Sequence, residues 1–148
     1  MIDLSNQHCI AFVGKVPSLT TTLLQTFDQV PDLVVTSYAP YRRFAIQLDD
    51  DGLDSLGIYA GDYLVFREQR WPTNELQICL ITLGDEATVR LIQHILDSEV
   101  TLKVTAEKIL DLELAPTDFC VIGVLDGIVK ESLAEFIIRH EREFDWGC

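Results

Sequence analysis

Short apolar runs bounded by turn residues, some of them alternating with a period of two, recur along this 148-residue chain, and such runs predict strands. Tyr63 to Arg67 is a run of aromatic and branched residues of the kind that packs on a pleated surface. Trp71-Pro72-Thr73-Asn74 interrupts it, since proline removes a ladder donor and asparagine favours turns. Leu76 to Leu83 is a second apolar run, and after Gly84-Asp85 a third follows, in which Ala87, Val89 and Leu91 alternate with Thr88, Arg90 and Ile92. Three consecutive strands with short connections predict an antiparallel meander. Further strands are expected over Cys9 to Val13, Leu33 to Thr36, Phe44 to Leu48, Val100 to Val104, Ile109 to Leu114 and Phe119 to Leu125.

Two stretches carry a helical period instead. Leu23, Leu24, Phe27 and Val30 share one face of a short helix expected between Thr20 and Val30. Ser132-Leu133-Ala134-Glu135 reads as a capping box, and Leu133, Phe136, Ile137, His140 and Phe144 fall on one face. An amphipathic helix is therefore expected from about Lys130 to Phe144. The predicted class is mainly β, mostly antiparallel, closed by a C-terminal amphipathic helix.

Eleven basic against twenty-four acidic residues give a net charge of −13. Phosphate backbones are bound by basic surface, so direct nucleic-acid binding is not expected. Cys9, Cys79, Cys120 and Cys148 have no Cys-x-x-Cys spacing, and the three histidines have no paired ligand spacing, so neither a metal nor a cofactor is expected. Asp49-Asp50-Asp51-Gly52 fails as a calcium loop, because placing Gly52 sixth puts Gln47 first and Ile58 twelfth; it reads as a solvated turn. No signal peptide or apolar run of membrane length is visible, and a cytoplasmic location is the default expectation.

The order Gly57-Ile58-Tyr59-Ala60-Gly61-Asp62, then two strands, then Glu86-Ala87-Thr88-Val89-Arg90, then Phe119-Cys120-Val121-Ile122-Gly123-Val124 resembles the self-processing domain of the LexA repressor and UmuD. Val13-Gly14-Lys15-Val16 resembles the entry to that family's cleavage region. The resemblance implies a LexA/signal-peptidase-like β-ribbon fold in one domain. Residues 1–43 would correspond to the cleavage region, 44–130 to the core and 131–148 to a helical extension. It further implies a two-fold homodimer built on C-terminal strands, with residues 119–125 as its edge, and a link to repressor control or the SOS response.

The resembled chemistry is a Ser/Lys dyad, in which a neutral amine takes the proton of an attacking hydroxyl. The nucleophile position falls on Gly52, which has no side chain, and the base position on Arg90, which stays protonated. Pro17-Ser18-Leu19-Thr20 stands where an Ala-Gly or Cys-Gly bond is usual. The expectation is a pseudo-peptidase that acts as a protein-interaction and dimerisation module toward an unidentified protein. Tyr38, Tyr41, Arg42 and Arg43 at one corner, and Phe136, Phe144 and Trp146 near the end, are the candidate contacts. A surface loop with snorkelling arginines is the plainer reading of that corner. An active enzyme would need a substitute nucleophile such as Ser55, Thr88 or a Cys/His pair; an unrelated small β scaffold is the third alternative.

Overall fold

The computed structural model describes residues 8–23, 31–36, 39, 41–105 and 109–137. Among the described residues eleven strands run in chain order as β1 (His8–Val16), β2 (Thr22–Leu23), β3 (Asp32–Val35), β4 (Arg43–Leu48), β5 (Tyr63–Glu68), β6 (Gln77–Leu83), β7 (Glu86–Gln93), β8 (Val100–Lys103), β9 (Leu112–Leu114), β10 (Cys120–Val129) and β11 (Phe136–Ile137). They form a single sheet in the order β11-β3-β1-β4-β5-β10-β6-β7-β8-β9, with β2 added to β7. All pairs are antiparallel except β1 with β4. The mainly β, mostly antiparallel class matches the expectation.

The sheet curls on itself. Val13 and Val16 of β1 share a buried cluster with Ala87, Val89 and Leu91 of β7, although four strands separate them in the order. The same cluster takes Phe44, Ile46, Leu64, Phe66 and Leu80, so inward-facing positions from both halves meet in one interior. A second cluster, with Cys79, Ile81, Ile92, Val100, Leu102, Phe119, Val121 and Val124, lies against Trp71. Trp71 stacks on Phe119 with ring centroids 5.8 Å apart and donates its indole N–H to the Ile95 carbonyl at 3.2 Å.

The meander is corrected in one respect. β6 and β7 form the expected hairpin across Gly84, whose φ of 65° suits glycine, but β5 and β6 are not neighbours. β10 lies between them and pairs with both. Gly123 makes that insertion possible: a Cβ there would stand 2.9 Å from the Arg67 carbonyl oxygen and 3.0 Å from Phe66 Cβ. Gly123 and Val124 are paired on both sides, Cys120 and Val121 with β6 and Leu125 with β5, so residues 119–125 lie within the sheet order and the expectation that they form its free edge is overturned. A register shift between Leu125 and Gly127 leaves Asp126 out of the ladder with β5. Its carboxylate meets Arg67 at 3.4 Å and Arg43 at 3.7 Å, which relieves the like-charge pairing of those two arginines across β4 and β5.

Both helical expectations change where the structure describes them. Thr22 and Leu23 are extended and pair with Ala87 and Glu86, because a run of β-branched threonines meets an open stretch of the β7 edge. Residues 24–30 lie outside the described residues. At the other end, Glu131–Leu133 is a single 3-10 turn, no side chain caps it, and Ala134 is already extended. Phe136 and Ile137 then pair with Leu33 and Asp32 of β3. Phe136 packs edge-on to Tyr63 at 5.1 Å and to Phe12 at 5.6 Å, so the apolar period expected of a helix is used by an edge strand and an aromatic cluster. The remainder of that expected helix, with His140, Phe144 and Trp146, lies outside the described residues.

Candidate functional site

The Gly57–Asp62 motif is a structural hinge beside the site. Asp62 accepts the Tyr59 N–H at 2.9 Å and the Lys130 ammonium at 2.7 Å, while Gly61 N–H donates to the Leu48 carbonyl at 2.8 Å. Gly61 has φ of 97°, a conformation that side chains avoid. Burial pushes the Asp62 carboxyl up, but Lys130 and the Tyr59 N–H outweigh it and hold the group below its ordinary value. The motif thereby fixes the turn at residues 49–53, where the resembled nucleophile position falls.

Gly52 is buried, and the space a side chain would need is already taken. An ideal Cβ at Gly52 would lie 2.1 Å from Ser18 Oγ and 2.8 Å from Leu19 Cδ2. Ser18 belongs to the stretch that the resemblance sets against the cleavage region. That stretch, residues 17–23, crosses over the Gly52 turn as a strap that bends at residues 18–20 and becomes strand at Thr22–Leu23. The Val89 N–H donates to the Pro17 carbonyl at 3.0 Å, the Thr88 hydroxyl donates to the same carbonyl at 3.0 Å, and β2 continues the pairing onto β7.

Asp50 holds the strap down. Its carboxylate accepts the Ser18 N–H at 2.9 Å, the Leu19 N–H at 2.8 Å, the Gly52 N–H at 3.0 Å and the Ser18 hydroxyl. Burial pushes the Asp50 carboxyl up, yet the Ser18 hydroxyl and the three N–H donors together hold it below its ordinary value. The sequence reading of Asp49-Asp50-Asp51-Gly52 as a solvated turn is corrected for Asp50, which organises backbone, and for Gly52, which is buried; Asp51 is exposed. Asp51 accepts the Ala60 N–H at 2.8 Å.

Arg90, at the resembled base position, leaves β7 on the same side as Thr88. It is only 4% exposed, and its Nε and Nη1 have no hydrogen-bond partner among the described residues. Burial pulls its pKa down from the ordinary value, opposed by the negative charges of Asp50 and Asp111. A guanidinium remains protonated under such shifts, so Arg90 supplies charge and donors but no lone pair.

The sequence model described as Peptidase S24-like matches residues 12–126. The chain belongs to the Peptidase S24-like family. Among curated proteins none matches the sequence. The match begins at Phe12 in β1 and ends at Asp126 in β10, so it takes in the strap, the Gly52 turn and Arg90.

The substitute nucleophiles are placed as follows. Ser55 is exposed on a 3-10 turn at Asp54–Leu56, away from the strap's bonds. Thr88 is buried and donates to the strap. The Cys79 thiol is buried and pushed up to about 12, the reverse of activation. His94 Nδ1 lies 3.1 Å from the Thr101 hydroxyl. Of the contact candidates, Tyr41 and Arg42 are exposed, whereas the Arg43 side chain is 6% exposed against Asp126. Phe136 is in the aromatic cluster; Tyr38, Phe144 and Trp146 lie outside the described residues. No helix among the described residues is long and apolar enough to cross a membrane. Sequence reasoning missed Ser18 and Asp50 as partners. The available signal was an aspartate two residues before a glycine, a common backbone-bonding arrangement, but its distant donor set was not visible.

Proposed function

We propose that this S24-like domain is a non-hydrolytic regulatory module that works through protein contacts. The observation that carries the reading is Gly52: the nucleophile position has no side chain, and the strap's own Ser18 occupies its space. Ser18 does not take over as nucleophile in this reading. It is fully buried, and its hydroxyl is bonded to a carboxylate held at low pKa, which makes that carboxylate a weak base. A fluorophosphonate probe, which labels activated serine hydroxyls, is expected to leave the protein unmodified. Stoichiometric labelling at Ser18 or Ser55, mapped by peptide mass, would overturn the reading.

The assembly we propose is a two-fold homodimer, as in the repressor-linked or SOS-linked role that the LexA-like resemblance implies. The edge it uses shifts from residues 119–125 to the end of β10. Residues beyond Val124 pair with β5 alone, since the ladder with β6 stops at Cys79. Beside that open side lie Ile128, 43% exposed, and Leu133, 74% exposed. Light scattering after size exclusion at micromolar concentration should give twice the 16.7 kDa chain mass, and Ile128→Lys should lower it toward one. A wild-type mass of 16.7 kDa at every concentration would contradict the dimer.

A further inference from the structure

We infer that the free edge of β9 is a strand-addition surface for an extended segment of another protein in which basic and apolar residues alternate. This gives the protein-contact reading above a surface and a partner class. That reading is tested separately at Gly52, so either fails without the other.

β9 stands at one end of the sheet and, among the described residues, pairs with β8 alone. Its other side is a row of backbone donors and acceptors open to a further strand. The apolar residues along it are uncovered, with Leu110 87% exposed and Leu112 38%. Register sets what an added strand meets. Leu112 stands opposite Leu102, Glu113 opposite Thr101 and Leu114 opposite Val100, so the two leucines share the apolar face and Glu113 takes the polar one. Asp111, just before the strand, is on the polar face as well, where it meets Lys103 at 3.7 Å. Glu113 makes no ion pair among the described residues, and with Asp97 and Glu99 it lines a polar concavity of about 580 Å3. Lysine or arginine at every second position of an added strand meets these carboxylates, and branched apolar residues between them cover Leu112 on the opposite face.

A second copy is a poor occupant of this edge. Two-fold antiparallel pairing centred on Leu112 sets Asp111 opposite Glu113, and pairing centred on Glu113 sets that residue opposite its own copy. Like charges directly opposite destabilise a strand pair. Pairing centred on Leu114 brings Pro116, which has no N–H, into the ladder. The net charge of −13 also repels a copy and attracts a basic segment.

The probe is a fluorescein-labelled peptide, Thr-Val-Arg-Val-Lys-Val-Arg-Val-Thr, added to the full chain near physiological salt and followed by anisotropy. Saturable binding is expected by about 1 mM, with slowed amide exchange across residues 112–114. Asp111→Asn with Glu113→Gln should weaken binding at least about fivefold. Asp54→Asn with Asp85→Asn, at two exposed acids elsewhere, changes the net charge equally and should leave binding within about twofold. If circular dichroism shows the first double variant unfolded, Glu113→Gln alone replaces it, with a loss of at least about twofold. A peptide of the same composition with its basic residues grouped at one end should bind at least about fivefold more weakly. Equal losses in the two double variants, equal binding of the two peptides, or no saturable binding to folded protein would overturn the inference. Protection of residues 112–114 that rises with protein concentration in the absence of peptide would make a second copy the occupant and overturn it too.

Discussion

Asp50→Ala should destabilise the protein by about 2–4 kcal/mol, measured by urea denaturation at neutral pH. The substitution removes the acceptor for three N–H groups and the Ser18 hydroxyl. Hydrogen bonds to a charged partner contribute about 1.5–3 kcal/mol each, but bonds sharing one acceptor are far from additive, which sets the lower total. Arg90 also loses one of the two negative charges that favour its charged form and becomes a buried charge with less compensation. The pH dependence has a definite sign. Asp50 is held below its ordinary pKa in the folded protein, so its contribution is present above the ordinary carboxylate range and is lost as pH falls through that range and below it. The stability difference between wild type and Asp50→Ala should therefore shrink on acidification from pH 6 to pH 3. A difference that stays constant over that range would contradict the latch.

Phe66→Ala should cost about 3–5 kcal/mol, the range for emptying an aromatic from a packed core. Phe66 is fully buried, its ring stacks on Phe44 at 5.8 Å, and it lies under the glycine that lets β10 enter the sheet. The three strands β4, β5 and β10 thus meet at one ring. With a total stability of about 5–15 kcal/mol expected for a domain of this kind, the loss is a large fraction of the whole. Denaturant midpoints for the two proteins check it, and a change under about 1 kcal/mol would mean that β10 is not held through this contact.

The strand content was legible because Tyr63 to Arg67, Leu76 to Leu83 and Ala87 to Ile92 are short runs dense in apolar and β-branched residues bounded by turn signals, and their middles are buried at consecutive positions. Neighbourhood was not. A run such as Cys120 to Val124 announces a strand, but nothing local states that β10 lies between β5 and β6; that follows from Gly123 fitting against Phe66 and the Arg67 carbonyl, a contact across more than fifty residues. The errors at Thr22 and at Phe136 have a common cause. In both places an apolar or β-branched run met an unpaired strand edge, and long-range pairing overrode a helical period. For the site, Gly52 and Arg90 were legible as departures from a resembled pattern. Ser18 filling the vacancy and Asp50 gripping it were not, since each bond spans about thirty residues.

The central claim, that the cleft holds its own chain without cutting it, is tested most directly by intact mass. Alkaline incubation favours the self-cleavage resembled here, because it neutralises a lysine base, but it leaves an arginine protonated. The full chain should keep its 16.7 kDa mass through days at pH 10. A defined internal cut within residues 17–23 that disappears in Ser18→Ala or Ser55→Ala protein would contradict the account.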